Sequence, residues 1–312
     1  MSFQKKDLIT IKDLSASDIN YFVETAKEFK KISLKDIKKV PTLRGKTVVN
    51  IFYEPSTRTR SSFEIAQKRL SADSLSIAVS QSSVVKGESL KDTLLNLEAM
   101  KPDAFVIRHS ESGAAHFISK ITKASVVNAG DGINEHPTQC LLDIMTVAEA
   151  KKDFKSLKVA IIGDIYHSRV ARSDIYGFSK LGAEIYLYAP HSLLPRVAEY
   201  GSGKVFISKS MEEAVKNADV IIMLRIQKER ASYYFIPSIE EYRNFFKLTP
   251  ELLSKADKKV MVLHPGPVNR DVEISGSIIN ENKTHIFKQV ENGVAVRMAC
   301  LYILIGYQKL NG

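Results

Sequence analysis

Short runs of apolar and β-branched residues, each followed by a segment with apolar positions at helical spacing, recur along almost the whole chain. The first half carries such runs at residues 47–52, 75–79, 104–107 and 125–128. After Lys151 the beat restarts, with runs near 158–162, 184–188, 219–223 and 260–263. A helix precedes the first run: Ser15-Ala-Ser-Asp18 reads as its start, and Ile19, Phe22, Val23, Ala26 and Phe29 as its apolar face. Strand-helix alternation of this kind predicts parallel sheets covered on both faces. The fold class is therefore α/β, with two domains, each a parallel sheet flanked by helices. The apolar pattern breaks at 148–156, dividing the chain into residues 1–149 and 150–289. A last helix, roughly 294–307 within a closing segment 290–312, is expected to cross back onto the first domain.

The polar motifs share one address, the C-terminal end of a strand. Ser56-Thr57-Arg58-Thr59-Arg60 follows the first run, Arg108-His109 the third, and Gly130-Asp-Gly-Ile-Asn-Glu-His-Pro-Thr-Gln139 the fourth. In the second half, Gly163-Asp-Ile-Tyr-His-Ser-Arg169, Leu224-Arg-Ile-Gln227 and His264-Pro-Gly-Pro267 occupy the same position. Open parallel sheets bind ligands at that edge, so both domains are expected to face one cleft. A turn rich in hydroxyls and arginines at a helix N-terminus aims backbone N–H groups, O–H donors and guanidinium forks at one spot, which suits a phosphate. An ordinary Ser/Thr cap is the plainer reading of Ser56-Thr57 alone. Five donors between Pro55 and the helix face of Phe63, Ala66, Gln67 and Leu70 favour the anion site.

Composition narrows the classes. At 312 residues, with 44% hydrophobic and 26% charged residues, the chain reads as about two globular domains. No apolar run is long enough to span a bilayer and the N-terminus has no apolar signal core, which predicts a cytoplasmic protein without membrane contact. The net charge of +10 is spread over helices in mixed runs such as Lys27-Glu-Phe-Lys-Lys, so it points to a solvated surface and not to nucleic acid. Cys140 and Cys300, the two cysteines, read as buried thiols, and the seven histidines show no metal spacing.

Phe-Tyr-Glu-Pro-Ser-Thr-Arg-Thr-Arg, Val-Val-Lys-Gly-Glu-Ser, His-Pro-Thr-Gln, Ser-Arg-Val, Arg-Ile-Gln-Lys-Glu-Arg and His-Pro-Gly-Pro occur in that order between Phe52 and Arg297. In order and spacing they resemble the catalytic chains of the aspartate carbamoyltransferase family. The resemblance implies the aspartate/ornithine carbamoyltransferase fold, no cofactor and no metal. It also implies transfer of the carbamoyl group of carbamoyl phosphate to the amino group of L-aspartate, the committed step of pyrimidine biosynthesis.

By the same resemblance Ser56, Thr57, Arg58, Thr59 and Arg108 hold the phosphate, while Thr59, Arg108 and His136 meet the carbamoyl oxygen where negative charge develops. Gln139 and the carbonyls of Pro265 and Gly266 suit the carbamoyl NH2. Arg169 is assigned to the α-carboxylate of aspartate, and Arg225 with Gln227 to its side chain; Gly266 and Pro267 belong to the same site. Lys86, with Ser82, is implied to reach both substrates from the neighbouring subunit of a homotrimer with shared active sites. Glu54 and Arg230 resemble ion partners of domain closure. A regulatory chain or a dihydroorotase comes within the range of partners. Tyr166, where many relatives carry lysine, and Gly266, where others carry leucine, depart from the family pattern.

Rival readings meet specific obstacles. An ornithine carbamoyltransferase shares the phosphate motif, but its cationic substrate calls for Ser-Met-Gly and His-Cys-Leu-Pro segments where this chain has Arg225-Ile-Gln227 and His264-Pro-Gly-Pro267. A nicotinamide-binding module would fit the strand ending at Gly163, yet the Gly-x-Gly-x-x-Gly turn and an acid for the ribose are missing.

Overall fold

The computed structural model describes residues 3–78, 89–196, 200, 204–226 and 238–311. Two compact units divide the chain: residues 1–145 with 291–312, and residues 146–290.

In the first unit, helix α1 (Ala16–Ser33) begins with a capping box: Ser15 Oγ accepts from the Asp18 N–H at 3.1 Å, and Asp18 Oδ2 from the Ser15 N–H at 2.9 Å. Strand β1 (Thr47–Phe52), helix α2 (Thr57–Arg69), β2 (Asp73–Ala78), α3 (Leu90–Glu98), β3 (Ala104–His109), α4 (Ala114–Ile121), β4 (Ser125–Asp131) and α5 (Pro137–Ala148) follow. The four strands are parallel in the order β2-β1-β3-β4. The chain therefore leaves β1 for one side and returns to its other side at β3, placing the switch point between the ends of β1 and β3. One face of the sheet, with Val49, Ile51, Phe105, Ile107 and Val126, packs against Leu94, Leu97 and Ile118 of α3 and α4.

On the opposite face Asn50 and Gln67, both fully buried, exchange two amide hydrogen bonds of 2.9 and 2.7 Å and tie α2 to β1. A buried amide must be satisfied, and two such groups satisfy each other only in one register. The sequence pattern puts Gln67 on an apolar face; the structure makes it the polar pin that ties the C-terminal part of α2 to the middle of β1.

The second unit repeats the scheme with β5 (Lys158–Ile162), α6 (Arg169–Lys180), β6 (Glu184–Tyr188), β7 (Val205–Ile207), α7 (Met211–Val215), β8 (Val220–Met223), α8 (Ile239–Phe246), α9 (Pro250–Ser254) and β9 (Met261–Leu263). Its parallel order is β7-β6-β5-β8-β9, with the switch point between β5 and β8. Ala160, Ile162, Ile221, Met223 and Val262 pack with Met211, Ala214, Val215 and Leu253 in one core. The α/β expectation of two parallel sheets holds. Strand β7 escapes sequence reading because only Val205 of its three residues is buried; Phe206 and Ile207 are exposed at the sheet edge. The last helix α10 (Ile286–Asn311) starts earlier than the pattern indicates, and its residues from 291 onward belong to the first unit.

Candidate active site

In the first unit the candidate residues gather at the C-terminal edge of the sheet. Ser56 stands at the N-cap position of α2 with φ −158° and ψ 88°, and its side chain makes no capping bond. Its hydroxyl therefore does not serve as the cap that the plain Ser/Thr reading expects. Thr57 and Arg58 are exposed, Thr59 is buried, and Arg60 forms an i,i+4 ion pair with Glu64 at 3.8 Å. The motif thus splits, with Arg60 turned along its own helix and Arg58 exposed at the helix start. Arg108, half-buried at the end of β3, donates to the Ala129 carbonyl at 3.2 Å and lies 3.4 Å from Glu54. The carbonyl and the carboxylate hold the fork in place at the switch point.

His136 and Gln139 are presented by a rigid polar loop. The buried Asp131 carboxylate accepts N–H bonds from Gly113 (2.7 Å), Glu135 (3.2 Å), Asn128 Nδ2 (2.7 Å) and Asn134 Nδ2 (3.1 Å). Glu135, equally buried, accepts the Ile11 N–H at 2.7 Å. Gly132 sits at φ +48°, where a Cβ would come within 2.4 Å of Ser112 Oγ, so only glycine lets this loop close. His136 is 4% and Gln139 8% exposed at the start of α5. The acids inside Gly130-Asp-Gly-Ile-Asn-Glu-His are scaffolding that a motif reading passes over; the signal is a run of carboxylates where a strand should give way to solvent.

In the second unit Arg169 opens α6 and is 6% exposed, with Ser168 capping the helix by accepting the Ala171 N–H at 3.1 Å. His167 Nδ1 lies 3.0 Å from Asp164, which is buried. Arg225 is half-buried just past β8, as expected for an arginine that follows an apolar strand. The next residue is anchored: the Ile226 N–H donates to Glu273 Oε1 at 3.1 Å, and Glu273 also accepts from the Asn269 N–H (2.9 Å) and Nδ2 (2.7 Å). Burial raises the Glu273 pKa above the carboxylate norm, while those three donors pull it back.

The His264-Pro-Gly-Pro267 turn follows β9. The Gly266 N–H donates to His264 Nδ1 at 2.8 Å, and Gly266 adopts φ +63°, a left-handed conformation that glycine takes without a Cβ penalty. Pro265 and Gly266 are half-buried and Pro267 is exposed. The departure from leucine at 266 therefore suits the backbone it occupies. Tyr166 is exposed and its ring lies edge-on to His167, 5.0 Å between centroids.

Ser82, Lys86, Gln227 and Arg230 lie outside the described residues. Among the described residues no group of three or more His, Cys, Asp or Glu side chains could hold a metal ion, and no helix is long and apolar enough to cross a membrane.

An anion turn at one switch point and arginines at the other are what a group-transfer enzyme needs for a phosphorylated donor and an acidic acceptor. The chain belongs to the aspartate/ornithine carbamoyltransferase family: residues 6–149 match its carbamoyl-P binding domain and residues 155–304 its Asp/Orn binding domain. The chain is 53% identical over 310 residues to the aspartate carbamoyltransferase catalytic subunit of Syntrophotalea carbinolica, covering 99% of this chain and 98% of the relative. The corresponding subunit of Citrifermentans bemidjiense is 54% identical over 306 residues, 98% of either chain. Two solved structures show how little the fold alone discriminates. Ornithine carbamoyltransferase from Pyrococcus furiosus superposes with a TM-score of 0.86 at 29% identity, covering 98% of this chain and 99% of that one. Aspartate transcarbamoylase from Trypanosoma cruzi, in complex with carbamoyl phosphate and aspartate, gives 0.85 at 26% identity over 95% and 94%.

Proposed function

We propose that this enzyme carbamoylates L-aspartate, with Ser56, Thr57, Arg58, Thr59 and Arg108 holding the phosphate of carbamoyl phosphate and Arg169 and Arg225 the two carboxylates of the amino acid. The observation that carries the donor half is the turn at α2: a hydroxyl at the N-cap position that does not cap, beside Arg58 and the Arg108 fork. A helix N-terminus already favours an anion, and bidentate guanidinium contacts add direction to that preference. Glu54 neutralises Arg108 in the structure, so phosphate entry exchanges one anion for another at that fork.

The uncharged amino group of aspartate attacks the carbamoyl carbon. The new C–N bond forms, the C–O bond to phosphate breaks, and the departing phosphate takes up the amine proton. Thr59, Arg108 and His136 act on the carbamoyl oxygen as its charge grows, and the remainder of the acceleration is orientation of two bound reactants. The product is N-carbamoyl-L-aspartate, a precursor on the route to pyrimidines. The acceptor half rests on two arginines at strand ends, which match a dicarboxylate, and on the relatives named aspartate carbamoyltransferase.

The assay is direct. Purified protein with carbamoyl phosphate and L-aspartate should release phosphate and N-carbamoyl-aspartate without added metal or nucleotide, and ornithine should not replace aspartate. Equal turnover with ornithine would move the chain to the other branch of its family.

The working form under this proposal is a cytoplasmic homotrimer in which Lys86 and Ser82 serve the neighbour's site. Lys86→Ala and Arg58→Ala chains, each nearly inactive, then complement when reassembled together. A site is intact when one chain supplies the cleft and the other the loop, about a quarter of sites in a ring built at random from equal amounts. Hybrid trimers without recovered activity would place Lys86 within its own chain's site or outside the chemistry.

A further inference from the structure

The family resemblance assigns Gln139 to the carbamoyl NH2 but leaves open how an amide, which is donor at one end and acceptor at the other, is kept the right way round. Gln139 Nε2 lies 3.0 and 3.3 Å from the two oxygens of Asp143, one turn further along α5. Asp143 is fully buried and Gln139 is 8% exposed. A carboxylate offers only acceptors, so the NH2 end of the amide has to face it. The reverse orientation would set the Gln139 carbonyl oxygen against two carboxylate oxygens in a dry site, which is strongly unfavourable. Among the described residues no donor is paired with Gln139 Oε1. Arg297, whose guanidinium lies 5.1 Å over the Phe63 ring of α2, is the buried cation that acts electrostatically on Asp143.

We infer that Asp143 is a positioning residue that locks the Gln139 amide with its oxygen toward the substrate, and that through this lock the site distinguishes a carbamoyl group from an acyl group without NH2. The inference rests on the carbamoyl phosphate reading above. The chemistry is complementary: the carbamoyl NH2 donates, the fixed Oε1 accepts, and an acetyl group puts a methyl where the acceptor needs a proton. A site built around a buried acceptor rejects the analogue that leaves it unpaired.

The test uses three probes that share a phosphate and differ in the rest: carbamoyl phosphate, acetyl phosphate and inorganic phosphate, each titrated calorimetrically into the intact enzyme. The wild type should bind carbamoyl phosphate much more tightly than acetyl phosphate. Asp143→Asn, which can donate or accept and so frees the amide to turn, should weaken carbamoyl phosphate about tenfold or more. The affinities for acetyl phosphate and phosphate should stay within about twofold, as expected when no hydrogen-bonded group of theirs is touched. Combining Gln139→Glu with Asp143→Asn exchanges the two groups and restores a one-way pair, because the amide now at 143 donates and the carboxylate now at 139 offers only acceptors. This exchange variant should recover the preference for carbamoyl over acetyl phosphate even if the added charge weakens all three ligands together.

A parallel loss of all three ligands in Asp143→Asn would reduce Asp143 to a structural role. An unchanged carbamoyl-to-acetyl ratio in the single variant, or no recovery of that ratio in the exchange variant, would overturn the lock. If the wild type binds carbamoyl phosphate no better than phosphate, the failure lies earlier, in the reading of the donor site itself.

Discussion

The two sheets are closed at their N-terminal edges by the same device and diverge at their C-terminal edges. In the first unit Asp103, directly before the switch strand β3, accepts the Thr47 N–H at 2.8 Å and Lys46 Nζ at 2.7 Å, and its own N–H donates to the Thr47 carbonyl at 2.9 Å. In the second, Asp219, directly before β8, accepts the Lys158 N–H at 3.0 Å and Lys151 Nζ at 2.8 Å, and donates to the Lys158 carbonyl at 2.9 Å. Parallel strands offer unpaired N–H groups where they begin, and a carboxylate on the neighbouring strand satisfies them in either sheet. At the opposite edges the solutions part. Under the proposed assignment the donor residues stand on secondary structure, the N-terminus of α2 and the end of β3, while the Asp131 network braces the loop before α5. The proposed acceptor residues divide between a helix start, where Arg169 opens α6, and the loop after β8, where Arg225 is followed by a residue anchored through Glu273. On the proposed reading the phosphate meets one fixed geometry, whereas part of the acceptor site lies on a loop that can vary without disturbing the sheet.

The largest test of that division is Arg225→Ala. Removing a charge-assisted pair from a desolvated site costs on the order of 2–5 kcal/mol, roughly 30-fold to several thousand-fold in kcat/KM for aspartate. The dissociation constant for carbamoyl phosphate, measured in the absence of aspartate, should stay within about twofold, because sites with no shared partners behave independently. Equal losses for both substrates would show that the two edges are not separate in function.

A smaller effect tests the shared device. Asp103→Asn and Asp219→Asn should each lower stability by about 1 kcal/mol, a charged acceptor being replaced by a neutral one beside partly exposed lysines. Amide exchange followed by mass spectrometry should rise in β1 for the first variant and in β5 for the second, with both substrate KM values within about twofold of wild type, as for substitutions remote from a site. Faster exchange in both sheets from either substitution would mean that the units do not open independently.

What could be read from the chain follows the same division. The strands β1 and β5 have the limits that their mainly apolar runs indicate, because a strand buried on both faces is dominated by apolar residues, Asn50 in β1 being an exception that Gln67 satisfies. The turn rich in hydroxyls and arginines was legible as a helix start because its residues are contiguous. Gln67, Asp131, Glu135 and Glu273 were not, since their meaning lies in partners far along the chain: Gln67 in Asn50, Glu135 in Ile11, Glu273 in Ile226. A buried polar residue looks like an interruption of a pattern until its partner is known. Arg60 shows the reverse case, a residue inside the motif that the structure turns to Glu64 on its own helix.

The smallest expected effect concerns His109, which follows Arg108 on β3 and has no ionisable counterpart after Arg225, where Ile226 stands. Its ring packs on Tyr53, 4.6 Å between centroids, and its Nδ1 accepts the Glu111 N–H at 2.9 Å, a bond that requires Nδ1 to be unprotonated. Burial lowers its pKa from the ordinary 6.5, against the opposing pull of Glu111, Glu54 and Asp131. With the folded value below the unfolded one, the unfolded chain binds more protons in the interval between them. The His109 contribution to stability is then complete above the unfolded pKa and is lost as pH falls through the folded pKa. Urea unfolding followed by circular dichroism between about pH 5 and 7.5, the range in which a histidine titrates, should show the wild type losing stability on acidification relative to His109→Gln. The two curves should run parallel above about pH 7, where the imidazole is neutral in both states. A difference that stays flat across the range, or one that grows in favour of the wild type as pH falls, would mean that the histidine is not held neutral at the end of β3, and that this strand end is no more specialised than its counterpart in the second sheet.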